Sequence, residues 1–293
     1  MAYIYLTLAN LCAAFLSFSG RFCQIINMGN KDTYSPRNEA RNPSTPGDTL
    51  TILATDDNWR VRWAVAGNPN TPVEVLDRLA EDDNGNVRLA VAGNQNTEAE
   101  VLAVLATNGD WYVRQAVAYN PSASGEILAR LAVDEDNNVR KAVAGNPNAP
   151  GEVLARLATD KDWNVRRAVK NPNTLAEVLA RLATDENSSV RFLAARNPSV
   201  SANVLVALAM DEDWVVRLAV AENPSAPGEV LARLAEDENW EVRFAVAGNP
   251  KIPPEAATLL STSEVSQIRK ALLENPAVPE HIRVGLSLCR GTK

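Results

Sequence analysis

Few residues of this 293-residue chain have the types and spacing that enzyme chemistry needs. The one histidine, His281, is interpreted as a surface residue, which leaves no imidazole for a Ser-His-Asp or Cys-His arrangement. The cysteines Cys12, Cys23 and Cys289 are odd in number and lack metal-ligand spacing, which argues against a disulfide framework and a zinc site. No glycine-rich phosphate loop is present. We therefore predict a protein that is not an enzyme and has no metal and no cofactor.

Carboxylates are abundant, but they recur along the chain, whereas an active site needs one unique constellation. Triplets such as Asp134-Glu135-Asp136 lack the ligand spacing and terminal Glu of an EF-hand, so helix capping and solvation explain them better than Ca²⁺ binding. The net charge of −7 argues mildly against nucleic acids and anionic membranes as partners. Half of the 36 acidic residues fall in regularly spaced three-residue segments, which predicts an acidic edge.

The spacing of these segments is a repeat of 26 residues, shortened once to 25 between Arg166 and Asn171. The dipeptide Val-Arg, once Ile-Arg, marks it at Val61, Val87, Val113, Val139, Val165, Val190, Val216, Val242 and Ile268. A period between about 20 and 50 residues is typical of a solenoid, in which each unit buries its apolar face against its neighbours. At the shortened step we expect a local kink and no domain boundary.

Each repeat is predicted to contain two short helices. In "NTPVEVLDRLA", Thr71 is the expected N-cap, with Pro72 at the first helical position and Glu74 completing a capping box. The second helix is preceded by one N-capping position, occupied by Asn58, Asn84, Asp110, Asp136, Asp162, Asn187, Asp213 and Asn239. It ends near Gly67, which suits a left-handed C-cap, and Asn68-Pro69 closes it. Helices of about ten residues are too short to be stable alone, so the repeats must fold together.

Two columns of polar residues recur once per repeat, and we interpret both as structural. The asparagines are expected to bond backbone groups of their own turn or the next repeat; they are Asn68, Asn94, Asn120, Asn146, Asn171, Asn197, Asn223 and Asn249. The arginines are expected to bond the acidic turn six residues earlier, such as Asp56; they are Arg62, Arg88, Arg114, Arg140, Arg166, Arg191, Arg217 and Arg243. The alternative for the arginines is a phosphate-binding stripe.

The combination D-x-x-W-x-V-R-x-A-V-A-x-N-P-x-T-P-x-E-V-L-x-x-L-A resembles the leucine-rich repeat variant family and, more distantly, HEAT-type repeats. The resemblance covers residues 41–288 and implies an all-α, right-handed superhelical solenoid of about nine to ten two-helix repeats without a sheet. The family alternates α and 3₁₀ helices in units of typically 24 residues, and the longer unit here favours two regular helices. Some members carry an iron–sulfur cluster, but Cys12 and Cys23 do not supply four closely spaced thiolates.

The two ends of the chain depart from the repeat. Residues 2–20 have no charge and approach the length of a membrane span, but polar residues interrupt them and no Lys or Arg precedes them. We interpret residues 1–40 as a poorly ordered leader and linker of a cytoplasmic protein; the alternative is anchoring or export through residues 2–20. From about residue 250 the repeats degrade into C-terminal caps, and residues 289–293 form a tail.

The aromatic residues of the repeats all fall in second helices. The position of Trp63 varies in kind and lies opposite the helix core, which is how repeat proteins display a recognition surface. We predict a protein- or peptide-binding face formed by Trp63, Trp163, Phe192, Trp214, Leu218 and Phe244. Two alternatives are a core role for the Trp59-type residues, which would wedge between repeats, and a nucleic-acid-binding solenoid that uses the columns of Arg62 and Arg78.

Overall fold

The computed structural model describes residues 35–169 and 174–288. Residues 1–34, Asn171 and the tail 289–293 therefore lie outside the described residues, and so do the predictions made for them. All regular structure in the described ranges is α-helical. The helices are α1 (Pro36–Arg41), α2 (Gly47–Leu53), α3 (Trp59–Ala66), α4 (Val73–Leu79), α5 (Gly85–Gly93), α6 (Ala99–Leu105), α7 (Trp111–Tyr119), α8 (Gly125–Leu131), α9 (Asn137–Gly145), α10 (Gly151–Leu157), α11 (Trp163–Ala168), α12 (Ala176–Leu182), α13 (Ser188–Arg196), α14 (Ala202–Leu208), α15 (Trp214–Glu222), α16 (Gly228–Leu234), α17 (Trp240–Gly248), α18 (Pro254–Ser261), α19 (Ser266–Glu274) and α20 (Glu280–Leu288).

The prediction of two helices per repeat is confirmed, and both are α-helices. The first helix closes with i to i−4 hydrogen bonds, as from the Ala80 N–H to the Leu76 carbonyl at 2.9 Å. It has seven residues in most repeats, while the second helix has eight or nine in most. The shorter helix is therefore a regular α-helix and not a 3₁₀ turn. The length of the 26-residue unit predicted this result.

The chain divides into two compact units, residues 1–101 and 102–293, and the division falls within α6. In unit 1, the second helices α1, α3 and α5 pack on one another in sequence order, and Leu50 and Leu76 of the first helices are fully buried beside them. Helix α1 includes the buried Ala40 and packs on α3. Within the described residues, Pro36–Arg41 is thus already part of the packed helices of unit 1.

Unit 2 continues the same layering with more repeats. Each second helix from α7 to α17 packs on the second helix of the next repeat, and several of these helices contain fully buried alanines such as Ala142 and Ala219. The first helices supply fully buried leucines: Leu128, Leu131, Leu154, Leu157, Leu179, Leu205, Leu231 and Leu234. Each repeat buries its apolar residues mainly against its two neighbours, which is the packing of a linear array.

Seven of the eight predicted N-caps of the second helices are observed as side-chain caps. The side chains of Asn58, Asn84, Asp136, Asp162, Asn187, Asp213 and Asn239 each accept a hydrogen bond from the backbone N–H two residues later. Val265 precedes α19 at the same position and has no such bond. These caps satisfy an otherwise free N–H at the start of each short helix.

The predicted capping box of the first helix is wrong. Helix α4 begins at Val73, and Pro72, in an extended conformation, occupies the N-cap position. Thr71 instead donates its hydroxyl to the Val65 carbonyl at 2.5 Å and so satisfies the end of the preceding helix. Serines in the register of Pro72, such as Ser124, do cap the first helix with their hydroxyls.

The predicted left-handed cap at Gly67 is also wrong. Gly67 has φ −84° and ψ −4°, and the described residues contain no glycine with positive φ. The chain leaves the helix through an extended asparagine, as at Asn146 with φ −74° and ψ 127°. A residue that precedes proline favours this conformation, and Pro147 follows Asn146. Asparagine followed by proline therefore ends the helix without a left-handed residue.

The deleted residue shortens one helix. Helix α11 has six residues and ends at Ala168, with Val169 at φ −73° and ψ 71°, whereas α9 and α13 have nine. The division between the two units falls elsewhere, within α6, as expected for a local change.

Candidate functional site

The asparagine column bonds the preceding repeat rather than the next one. Asn146 Nδ2 donates to the carbonyls of Ala118 and Asn120 at 2.7 and 3.2 Å, and its Oδ1 accepts the N–H of Asn148 at 2.8 Å. The same pair of donated bonds recurs for Asn68, Asn94, Asn223, Asn249 and Asn275. The amides therefore join the C-terminal ends of successive second helices.

The arginine column joins the other side of the same repeats. Arg140 donates to the carbonyl of Asp134, six residues earlier, at 2.8 Å, and binds both carboxylate oxygens of Asp160 at 2.7 and 3.0 Å. The acidic turn six residues earlier is thus contacted through its backbone, and the carboxylate comes from the next repeat. Ion pairs of this kind join Arg62 to Asp82, Arg114 to Asp134, Arg166 to Asp185, Arg191 to Asp211 and Arg217 to Asp237.

These ion pairs set the charge state of the turns. Burial opposes ionisation of Asp160, but the hydrogen bonds from Arg140 and from the Asp162 N–H outweigh it and hold the pKa of Asp160 below its usual range. The pKa of Arg140 is raised, chiefly by its hydrogen bond to Asp160. Both side chains are more than nine-tenths buried, so Arg140 is not available to bind phosphate.

The solvent-facing positions of the second helices vary while the frame repeats. In unit 2 the position of Trp59 is occupied by Trp111, Asn137, Trp163, Ser188, Trp214, Trp240 and Ser266. Trp163 and Trp214 are 37% and 36% exposed, and Trp240 is 42% exposed. These three side chains are therefore partly exposed and partly covered by neighbouring residues.

Two of the predicted face residues in unit 2 are less exposed than expected. Phe192 and Leu218 are half-buried and pack against the core, whereas Phe244 is 43% exposed. The Arg196 guanidinium lies 5.5 Å from the centre of the Phe192 ring, and the rings of Phe244 and Trp240 are 6.3 Å apart. Trp240 belongs to the face but was not predicted, although it shares its register position with Trp163 and Trp214.

In unit 1, Trp63 is half-buried and covered by cations. The guanidinium groups of Arg41 and Arg37 lie 5.1 and 5.9 Å from its ring centre. Trp63 and Arg41 line a depression of about 350 Å³ together with Gly67 and Gly93. Cation–π stacking of this kind holds an aromatic ring in place and leaves part of it accessible.

A second depression lies on the second-helix face of unit 2. It has a volume of about 330 Å³ and is lined by Tyr119, Lys141, Gly145, Asn164, Arg167, Ala168 and Leu193. Lys141 and Arg167 occupy the register of Trp63 on neighbouring helices and are exposed. The varied residue types in this register indicated a display surface, but the register alone did not show that these two cations share a groove.

Neither a metal site nor a membrane span emerges from residues 35–169 and 174–288. No group of three His, Cys, Asp or Glu side chains there is placed to hold a metal ion. Within the same ranges, every helix is too short or too polar to cross a membrane. Residues 2–20, Cys12 and Cys23 lie outside these ranges.

The comparison with known proteins identifies the repeats of this chain. The family model for the leucine-rich repeat variant matches residues 59–84, 111–136, 138–162 and 214–239. A solved structure described as a leucine-rich repeat variant with a novel repetitive structural motif is 31% identical, with a TM-score of 0.57, over 74% of this chain and 87% of that one. The chain belongs to the leucine-rich repeat variant family.

A crystal structure of an engineered protein also aligns with this chain, at 19% identity and a TM-score of 0.45, over 86% of this chain and 93% of that one. No curated protein matches the sequence. The predicted all-helical repeat solenoid is thus confirmed for the leucine-rich repeat variant.

Proposed function

We propose that this protein is a non-catalytic scaffold that binds a protein or peptide partner on its second-helix faces. The observation that carries the proposal is the group of exposed aromatic side chains on unit 2, namely Trp111, Trp163, Trp214, Trp240 and Phe244. Large aromatic side chains supply much of the binding energy in protein interfaces. In unit 1, Trp63 offers a smaller surface of the same kind.

The contrast between frame and face supports this proposal. The buried Val, Ala, Asn and Arg positions of the second helices repeat, so the fold needs no aromatic residue at the solvent-facing positions. Phe244, Leu218 and Phe192 occupy the register of Trp63 on successive repeats, where Lys141 and Arg167 stand earlier in the chain. A constant frame that carries variable residues suits selection for a partner.

Binding to nucleic acid is the alternative, and the bonding of the arginines weakens it. Six of the Arg62-type guanidiniums are engaged by carboxylates, and the acidic turns carry exposed side chains such as Glu135. We expect no affinity for duplex or single-stranded nucleic acid beyond the weak non-specific range, a Kd of about 10⁻⁴–10⁻⁶ M at physiological salt. A gel shift at nanomolar protein that survives such salt would favour the alternative.

The proposal is tested by retention of a partner from a lysate of the native host. The double variant Phe192→Ala with Phe244→Ala removes two apolar side chains of the face, and we expect it to lose partners that the wild type retains. Because Phe192 also packs against the core, a second variant, Trp240→Ala with Phe244→Ala, removes only exposed rings.

The matched control is Val133→Ala with Met210→Ala, which removes exposed apolar groups in the turns that follow first helices. This control should retain the same partners as the wild type. Equal retention by all four proteins would show that the partner docks elsewhere. Thermal melts by circular dichroism establish that each variant is folded.

A further inference from the structure

The four successive second helices α7, α9, α11 and α13 contain no Asp or Glu, although the chain carries a net charge of −7. Their outward positions hold the cations Lys141, Arg167 and Arg196. The later second helices differ, because α15, α17 and α19 include Glu222, Glu241 and Glu274. Within unit 2, the outward cations on second helices that lack acidic residues therefore lie on α9, α11 and α13.

Two of these cations have no ion-pair partner among the residues that the structure describes. Within the described ranges no carboxylate pairs with Lys141 or Arg167, whereas Arg196 lies 3.9 Å from Glu222. Asp162, the nearest carboxylate along α11, caps that helix and accepts hydrogen bonds from Asn137 and from the Asn164 N–H. Lys141 and Arg167 thus face solvent across the groove with their charge uncompensated.

The floor of the groove is open because of a glycine. A Cβ added at Gly145 would meet no atom within 4 Å, so the space beside Lys141 is empty. Tyr119 stands at the same register position one repeat earlier and is 55% exposed. The groove therefore offers an aromatic ring next to two cations, with room between them.

We propose that the groove of Tyr119, Lys141, Gly145 and Arg167 binds an acidic, extended peptide segment of a partner protein, an assignment that rests on the scaffold function proposed above. Packed helices are separated by about 8–10 Å, so equivalent residues of neighbouring repeats are about that far apart. A polyproline II segment repeats every three residues, or about 9 Å. Acidic residues at every third position of such a segment match Lys141 and Arg167 in turn, and proline rings suit Tyr119.

A peptide fits this surface better than a nucleic acid does. The groove supplies only two cations that are not in ion pairs. A nucleic acid bound there would have few phosphates neutralised and would release few counterions, which gives little affinity. The turns before α9 and α13 are acidic, and the side chains of Glu135 and Glu186 in them are 90% and 88% exposed. A narrow segment with a few carboxylates is attracted to the cations and avoids these turns, whereas a backbone charged at every nucleotide does not.

The test is fluorescence anisotropy with the full chain and labelled probes. The first probe is a peptide of about twelve residues built from Glu-Pro-Pro units, a length that spans about four repeats. Its controls are a Lys-Pro-Pro peptide of equal length, a peptide with the same composition but all glutamates at one end, and an oligothymidylate of similar length. We expect the first probe to bind more tightly than all three and to weaken as salt is raised.

Two variants locate the site. Lys141→Glu with Arg167→Glu should weaken binding by about tenfold or more, and Gly145→Glu should do so as well, by adding a carboxylate where space is open. The matched control is Arg130→Glu with Arg156→Glu, which makes the same change of charge on exposed first-helix residues and should bind as the wild type does.

Several results would overturn the proposal: equal affinity for the Lys-Pro-Pro peptide, tighter binding of the oligonucleotide, or equal loss in the control variant. Self-association of the chain that disappears in Lys141→Glu with Arg167→Glu would also overturn it, because the occupant would then be a second copy. If the peptide fails to bind while the aromatic variants still lose their partner, the acidic occupant is wrong and the scaffold function stands.

Discussion

At the scale of single residues, the frame depends on two side chains per repeat that bridge to a neighbour. Asparagine is suited to the helix end because one amide both donates to two carbonyls of the preceding repeat and accepts a backbone N–H of its own turn. Arginine is suited to the turn because its planar guanidinium reaches a carboxylate and two carbonyls at once, as Arg140 does with Asp160, Asp134 and Glu135. Both kinds of bridge are nearly buried.

We expect Asn146→Ala to lower the free energy of unfolding by about 3 kcal/mol, because it removes two buried hydrogen bonds and one partly buried one, each worth about 1 kcal/mol. Urea denaturation followed by circular dichroism measures the change. The control is Asn148→Ala, which loses one exposed bond to the Pro121 carbonyl and should cost about 1 kcal/mol or less. Equal effects of the two variants would contradict the structural role of the column.

Acid should weaken the protein through the buried carboxylates. The folded-state pKa values of Asp82, Asp134, Asp160, Asp185 and Asp237 are lowered because hydrogen bonds from arginine outweigh burial. Their stabilisation is therefore present above the unfolded pKa of about 3.9 and is lost as the pH falls through the lower folded pKa.

Melting temperatures between neutral pH and about pH 2 test this linkage. We expect Asp160→Asn to be less stable than the wild type at neutral pH, and its stability to fall less on acidification. Glu135→Gln, which changes a carboxylate that is 90% exposed, should follow the wild-type curve. Parallel acid transitions for all three proteins would refute the assignment.

At the scale of elements, the sequence predicted the helices of the repeats better than the arrangement of the outward residues on the second helices. The repeat period and the Asn or Asp before each second helix located the helices, because those signals are local. The left-handed cap at Gly67 was not correct, because the extended asparagine before proline ends the helix without it. The burial of Phe192, the ring contact of Trp240 with Phe244 and the groove at Lys141 depend on packing between repeats, which register alone does not specify.

Because the second helix ends in a right-handed conformation, the sign of the change in the free energy of unfolding can be predicted for a glycine substitution there. Gly145 lies in α9, and an added Cβ would meet nothing within 4 Å, so Gly145→Ala should raise the free energy of unfolding by about 0.5–1 kcal/mol. A left-handed glycine would give the opposite sign. For comparison, a Cβ at Gly125 would lie 3.0 Å from Pro150 Cγ, so Gly125→Ala should gain less or destabilise. Chemical denaturation of both variants decides between these outcomes.

At the scale of the whole molecule, stability is shared out among neighbouring repeats. Ending the chain at Glu222 removes α16 to α20 but leaves the contacts among α7, α9, α11 and α13 intact. We expect this fragment to keep an all-helical far-ultraviolet circular dichroism spectrum and to melt at a lower temperature than the full chain. A fragment that is wholly unfolded, or one with a sheet-like spectrum, would be incompatible with a linear array.

Within unit 2, the asparagine and arginine bridges link successive second helices at two separate places along each helix. Two parallel rows of attachments resist twisting between neighbours in a way that one row does not. Where α11 is shortened, the ion pair from Arg166 to Asp185 is still made, over 19 residues instead of 20, so one row continues through the defect. Under tension or torque, this part of unit 2 should resist deformation, and any bending should be greatest at the shortened repeat. A partner bound across several repeats would therefore contact residues at a nearly constant spacing.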